Sequence, residues 1–147
     1  LLPLQDQDKA LIKEQMERYT PGTREWALNR FDSWASVENT KHRALILAAA
    51  AGLGKTTIAA LIATERPSIV VASHFCRHDD SRANNPKRML LSLAYQIAAK
   101  FPDYSTRLLS ILKDSELTSD LLLRDDYSLV TISNMLLKEP LNYMSLP

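Results

Sequence analysis

Hydrophobic residues recur at helical spacing along most of the chain. Gly22 and several prolines interrupt this pattern and mark where helices begin or end. Gly22 separates the first two helices, Pro86 and Pro102 suit first helical turns, and Pro140 is predicted to stop the last helix. Residues 116–126 have no decided pattern. The predicted helices cover residues 5–19, 24–38, 55–65, 86–101, 102–115 and 126–140.

Two short segments instead have the composition of buried strands. Residues 43–49 (RALILAA) are almost wholly apolar, and residues 69–75 (IVVASHF) are rich in β-branched side chains. A polar turn at 39–42 precedes the first. The order strand, glycine loop, helix, strand, helices predicts an α/β fold with a parallel sheet. Because two strands are too few for such a sheet, we expect part of it to lie outside this chain.

Composition narrows the class of protein. The 147 residues are 46% apolar and 24% charged, which is typical of one soluble domain. A net charge of +1 favours neither nucleic acid nor an acidic partner. A single cysteine fits a reducing compartment, and no apolar run approaches the ~20 residues of a membrane helix. With no secretory signal in the first residues, these features predict a cytoplasmic fragment of a longer protein.

The glycine loop is the segment with the clearest chemistry. It contains the Gly-x-Gly-Lys-Thr half of a phosphate-binding loop, between a predicted strand and a predicted helix. Backbone N–H groups and the helix N-terminus would hold phosphate oxygens, Lys55 would reach the β- and γ-phosphates, and Thr56 would bind Mg²⁺. No residue is predicted to be catalytic. The predicted binding residues are Ala49, Ala50, Ala51, Gly52, Leu53, Gly54, Lys55, Thr56 and Thr57.

Ala49 stands where such loops usually have their opening glycine. If the position needs a positive φ angle, alanine costs about 1–2 kcal/mol, and if it only ends the strand, the cost is smaller. We interpret the loop as modified but competent. The alternative is an alanine-rich helix with Gly-Lys-Thr on its surface, which two glycines disfavour by ~1 kcal/mol each.

Three further motifs surround the loop. They are Gly-Thr-Arg-x-Trp at 22–26, His-Phe-Cys-Arg at 74–77, and a helix beginning with Pro86 that continues to Ser-Leu-Ala-x-Gln-Ile at 92–97. Together they resemble the nephrocystin-3-like N-terminal module, a NACHT-type domain of the STAND class of P-loop ATPases. The resemblance begins near residue 19 and extends to the last residue. It implies a three-layer αβα P-loop NTPase with an incomplete parallel sheet (strand 1, P-loop helix, strand 2 and flanking helices).

The resemblance also implies domain limits and a mode of action. Residues 1–20 would be a helical lead-in and residues 21–147 the N-terminal part of the NACHT-type domain. Members are switches that ADP holds closed and ATP opens, after which they oligomerise. ATP or ADP, Mg²⁺, further copies and other domains of the parent chain are therefore the expected partners, whereas nucleic acid and membrane are not. The Walker B strand and the sensor residues would follow this chain, so we expect no hydrolysis from it.

A few other residues could carry chemistry. His74, Cys76 and His78 alternate as zinc ligands on one strand face would, but no fourth ligand lies at a suitable spacing. We interpret His74 as the end of a strand and Cys76 as a small packing residue. Arg77 is interpreted as a loop residue beside the aspartates at 79–80 rather than a nucleotide contact.

The helix that follows Gly22 raises similar alternatives. Thr23 and Arg24 lie where related modules contact adenine, although Thr23 could equally cap the helix. Trp26, Phe31 and Trp34 fit a buried helix face better than a base-stacking platform, because basic residues are not concentrated around them.

Three functions remain open from the sequence. The first is an ATP-binding switch in a signalling protein, and the second is a scaffold or interaction module that has lost nucleotide turnover. The third is another P-loop enzyme, such as a DNA-loading ATPase or a kinase. The third predicts basic grooves or an arginine-rich lid, and the second predicts loss of Lys55 or Thr56. Neither pattern occurs, so the switch is favoured.

Overall fold

The computed structural model describes residues 2–36 and 43–144, and the polar turn predicted at 39–42 lies outside them. The described chain consists of helices joined by turns and irregular segments. None of these helices is long and apolar enough to cross a membrane. They are α1 (Leu2–Glu17), α2 (Glu25–Ala35), α3 (Lys55–Glu65), α4 (Pro86–Lys100), α5 (Pro102–Asp114), α6 (Ser119–Leu122), α7 (Leu129–Ser133) and α8 (Glu139–Asn142), with a π-helical turn, Asn134–Lys138, between the last two.

The predicted α/β fold is wrong for the described residues, which contain no strand and no sheet. A strand persists only when its backbone N–H and C=O groups find partners on a neighbouring strand. Residues 43–49 are exposed, and Ile46 is 85% exposed. Such a segment has no buried sheet position to occupy. The three-layer αβα architecture and its parallel sheet are therefore replaced by a helical one.

The second predicted strand fails for a more specific reason. The Ser73 N–H donates to Gln96 Oε1 at 3.1 Å, and the Ser73 carbonyl accepts from Gln96 Nε2 at 2.9 Å. A side-chain amide on α4 thus makes the pair of hydrogen bonds that a neighbouring strand would make. Gln96 itself is held by a further hydrogen bond from its Nε2 to Ser92 Oγ at 3.2 Å.

One compact unit consists of Asp8–Val70. Helix α3 has the predicted bounds, and its buried face consists of Ile58, Ala60 and Leu61. Helix α2 buries Ala27. After the last turn of α3, Arg66 donates from Nε and Nη2 to the two carboxylate oxygens of Asp32 on α2, at 2.7 and 2.8 Å. These hydrogen bonds, more than the charge itself, hold the pKa of Asp32 below its usual value.

The other unit contains the chain from Val71 onwards, together with the residues before Asp8. Helix α4 begins as predicted, because Pro86 occupies its first turn and the Asn85 side chain accepts from the N–H groups of Lys87 and Arg88. Helix α5 also has its predicted start at Pro102. The core between these helices and the C-terminal ones consists of Leu90, Leu91, Ala94, Tyr104, Leu108, Leu122, Ile132 and Leu136.

The last helical region differs from its prediction at Pro140. This proline does not stop the helix, which continues to Asn142. The preceding π-turn widens the backbone, with the Glu139 N–H donating to the carbonyl of Asn134. The wider turn lets the chain pass a proline that would disrupt an ordinary α-helix.

Candidate phosphate-binding loop

Two glycines shape the turn that leads into α3. Gly52 has φ 79°, and Gly54, the N-cap, has φ 80° and ψ 24°. This left-handed region is disfavoured by about 1–2 kcal/mol for residues with a Cβ atom. Glycine therefore stands at both positions because the backbone there is left-handed, and this turn sets the direction in which α3 begins.

The first turn of α3 presents unpaired donors. The first helical hydrogen bond runs from the Ile58 N–H to the Gly54 carbonyl at 3.0 Å, and no side chain caps the helix. Within the described chain, the N–H groups of Lys55, Thr56 and Thr57 consequently have no hydrogen-bond acceptor. Three free N–H groups beside the positive end of a helix dipole are an arrangement that suits an anion.

Lys55 ties the loop to the helix. Its Nζ donates to the carbonyls of Ala49 and Ala50, both at 2.8 Å. An ammonium group has three N–H donors, so one remains for a further acceptor. These two hydrogen bonds close the loop around the ammonium group.

Ala49 is free of the strain that a positive φ angle would cause. Among the described residues, Glu116 is the non-glycine residue with a positive φ angle. The cost of about 1–2 kcal/mol that a positive φ angle would impose on alanine therefore does not arise at Ala49. The alternative of a continuous alanine-rich helix is also wrong, because α3 begins at Lys55, after the second glycine.

The two threonines differ in their surroundings. Thr56 is exposed, whereas Thr57 is half-buried and donates from Oγ1 to Gln15 Oε1 at 2.7 Å. Sequence reasoning missed Gln15, which lies on α1. No local pattern could have indicated it, because the two residues are 42 positions apart.

Arg24 lies against the loop. A Cβ atom added to Gly54 would stand 3.0 Å from Arg24 Nη2, so the guanidinium occupies the space beside the N-cap. The Arg24 Nε atom is buried without a hydrogen-bond partner in the described chain. Thr23 does not cap α2. Its hydroxyl donates to the Thr20 carbonyl at 2.7 Å, and the N-cap is Arg24.

Comparison with known proteins identifies the family to which this chain belongs. Residues 22–141 match the family model described as Nephrocystin 3, N-terminal. The chain belongs to this family. In this nephrocystin 3 N-terminal member, the matched range contains Arg24 and the whole glycine loop but begins after Gln15. Comparisons with curated proteins and with solved structures gave no significant match.

The histidine and cysteine residues of this family member take separate roles. His74 Nε2 lies 2.7 Å from the Ala83 carbonyl, while Cys76 and His78 are exposed. The interpretation of Cys76 as a packing residue is therefore wrong. Arg77 does lie in the loop as predicted, donating to Asp79 Oδ1 and Oδ2 at 3.2 and 3.0 Å. In the described chain, no group of three or more His, Cys, Asp or Glu side chains could hold a metal ion.

The aromatic residues of α2 are only partly buried. Trp26 is 57% exposed, so its assignment to the core is wrong. Phe31 and Trp34 are half-buried and pack together, with ring centroids 5.7 Å apart and planes tilted by 48°. Ala27, which lies four residues before Phe31 and seven before Trp34, is the buried residue of this helix.

Proposed function

We propose that this nephrocystin 3 N-terminal member binds ADP or ATP through the loop at 49–57 and acts as a nucleotide-dependent switch of the NACHT type, in the STAND class of P-loop ATPases. The observation that carries the proposal is the group of three free N–H donors at the start of α3, beside Lys55. A di- or triphosphate satisfies such donors with its own oxygens.

The glycines, Lys55 and Arg24 each provide one requirement for binding phosphate at this loop. Gly52 and Gly54 remove the Cβ atoms that would keep an oxygen away from the backbone. The Ala49 and Ala50 carbonyls orient Lys55, whose third N–H is available to the anion. The guanidinium of Arg24 adds a second positive charge behind Gly54. Two cations and three N–H groups suit a polyphosphate better than a single phosphate.

The exposed hydroxyl of Thr56 supports the assignment of a Mg²⁺ ligand, since hard cations prefer oxygen donors and retain several waters. When bound, Mg²⁺ neutralises part of the phosphate charge. In this helical fold the site depends on the loop and on α3 rather than on the edge of a sheet. We propose nucleotide binding without hydrolysis by this chain, oligomerisation with further copies, and contact with other domains of a parent chain. The exposed thiol of Cys76 fits a reducing, cytoplasmic setting.

The test is a titration of the 147-residue chain with fluorescent ADP in the presence of Mg²⁺. Lys55→Ala should abolish detectable binding. It should leave the helix content unchanged, because the Lys55 ammonium bonds to loop carbonyls and takes no part in the helical hydrogen bonds of α3. Lys87→Ala is the matched control, since it removes a lysine from the first turn of another helix, and it should bind like the unmodified chain. Equal affinity of the Lys55→Ala variant would contradict the proposal.

A scaffold without nucleotide function is the second candidate. It is favoured by the two hydrogen bonds of Lys55 to its own loop, which close the loop without an anion. Ala49→Gly separates the two. Because Ala49 has no positive φ angle, the glycine relieves no backbone strain. If the natural loop is competent, Ala49→Gly should therefore tighten nucleotide binding by no more than about tenfold, or ~1.4 kcal/mol. A gain of several hundredfold would show that the natural loop is impaired and would favour the scaffold.

A further inference from the structure

Helix α1 contacts the candidate site through Gln15. The hydroxyl of Thr57, the third residue of α3, donates to the side-chain carbonyl of Gln15 at 2.7 Å, and both side chains are half-buried. This hydrogen bond joins α1 to the turn of α3 that carries the free N–H groups.

The chemistry of a hydroxyl makes this contact exclusive. A threonine hydroxyl has a single hydrogen, so it donates to one acceptor at a time. Ionised phosphate oxygens are acceptors. Side chains of an α-helix tilt towards its N-terminus, which brings the Thr57 hydroxyl towards the end where the N–H groups of Lys55 and Thr56 converge. The hydroxyl can therefore serve Gln15 or a phosphate oxygen, but not both.

We propose that Gln15 competes with bound phosphate for the Thr57 hydroxyl, so that α1 holds the site in a state of lower affinity. This regulation rests on the proposed function of the loop. Coupling between two ligands of one group is reciprocal. Nucleotide binding consequently loosens the contact between Gln15 and Thr57, and release of Gln15 strengthens nucleotide binding.

The size of the effect follows from the strength of one neutral hydrogen bond. The contact is half-buried and joins two uncharged groups, so its removal should raise nucleotide affinity by about two- to tenfold. The contribution of Thr57 to phosphate binding sets the upper limit, because a released hydroxyl can add one hydrogen bond and no more.

The experiment compares Gln15→Met, Thr57→Val and the double variant with the unmodified chain, using fluorescent ADP and Mg²⁺. Methionine keeps the unbranched shape of glutamine without its acceptor, and valine keeps the shape of threonine without its hydroxyl. Gln15→Met should bind more tightly, and the double variant should bind like Thr57→Val. Gln15→Glu retains an acceptor and should show no gain. Thr57→Ser retains the hydroxyl, and within its background Gln15→Met should again tighten binding.

Amide hydrogen exchange in α1 gives a second measurement. ADP should accelerate exchange around Gln15 in the unmodified chain and leave it unchanged in the Gln15→Met variant. If Lys55→Ala abolishes nucleotide binding but Gln15→Met leaves the affinity unchanged or lowers it, the proposed competition is wrong and the proposed function still stands. No binding by any of these proteins would overturn the proposed function, and the competition with it.

Discussion

The phenolic hydroxyl of Tyr104 on α5 donates a hydrogen bond to the main-chain carbonyl of Leu136. Leu136 lies four residues before Pro140, and proline has no N–H to give to the carbonyl that an α-helix would pair with it. The π-turn shifts the local hydrogen bonding to a spacing of five residues, as between Glu139 and Asn134. Tyr104 thus supplies a donor at the position where the proline removes one.

Tyr104→Phe should lower the free energy of unfolding by about 1–2 kcal/mol, because it leaves a buried carbonyl without this donor. Tyr104 is fully buried, so no water can replace the hydroxyl without rearrangement. Urea denaturation measures the change. Tyr95→Phe is the control, since Tyr95 is exposed and its hydroxyl should contribute little. Equal stability of the two variants would contradict this account.

The same residue should make stability depend on alkaline pH. Burial raises the pKa of Tyr104 from 10.0 to about 12. Below pH 10 the phenol is protonated in both states, so its contribution is complete there. As the pH rises from 10 towards 12, the unfolded state ionises first and stability should fall by about 2–3 kcal/mol. Denaturation curves at successive pH values across this window should show a weaker decline for Tyr104→Phe. Parallel declines would assign the effect to other groups.

Acid should weaken the first unit through Asp32. Arg66 lowers the pKa of Asp32 from its model-compound value of 3.8. The stabilisation is therefore complete above the unfolded-state pKa and is lost as the pH falls through the folded-state pKa. Asp32→Asn should be less stable at neutral pH and lose less stability in acid. Asp126→Asn removes one charge from an exposed site and is the control. An unchanged acid profile for Asp32→Asn would show that the ion pair contributes nothing.

The two loop glycines allow backbone strain to be separated from steric contact. Gly52→Ala and Gly54→Ala both place a Cβ atom at a positive φ angle, which costs about 1–2 kcal/mol. A Cβ atom at Gly52 meets open space, whereas one at Gly54 meets the Arg24 guanidinium. Gly54→Ala should therefore be the more destabilising in thermal denaturation. Combining it with Arg24→Ala should reduce its cost to that of Gly52→Ala; if it does not, the guanidinium is not the obstacle.

The exposed apolar segment at 43–50 should bind hydrophobic dyes. Ile46 and Leu47 are 85% and 42% exposed. Ile46→Thr should reduce dye fluorescence and light scattering without lowering the melting temperature, because no core contact is lost. Ile58→Thr removes a buried side chain of α3 and should have the opposite pattern, with a lower melting temperature and stronger dye binding. Undiminished fluorescence in Ile46→Thr would place the dye elsewhere.

The sequence predicted α3 well because its signals are local. Two glycines at positive φ angles precede Lys55, and Arg66 ends the helix at the predicted residue. Likewise, Pro86 follows an asparagine that caps α4. Each of these boundaries depends on residues within one turn, which a single sequence contains.

The missed features depend on distant partners. Whether residues 69–75 form a strand depends on what pairs with Ser73, and that partner is a side chain on α4. Ala27, Phe31 and Trp34 share one helical face with Trp26 beside it, yet only the packing of α2 decides that Ala27 is buried and Trp26 exposed. Arg24 is a candidate contact from the sequence, but its position beside Gly54, like the contact of Gln15 with Thr57, has no local signal. The start of α3 at the candidate site was therefore predictable, but the irregular backbone at 43–49 and the contact with Gln15 were not.

The amide of Gln96 imitates a peptide unit, offering Ser73 one donor and one acceptor. That imitation has a chemical weakness, because an amide can be hydrolysed to a carboxylate as a protein ages. Deamidation of Gln96 would put two acceptors face to face at the Ser73 carbonyl and add a negative charge. The segment held by α4 would then be released by the slow covalent chemistry of a single side chain, without any change in the gene.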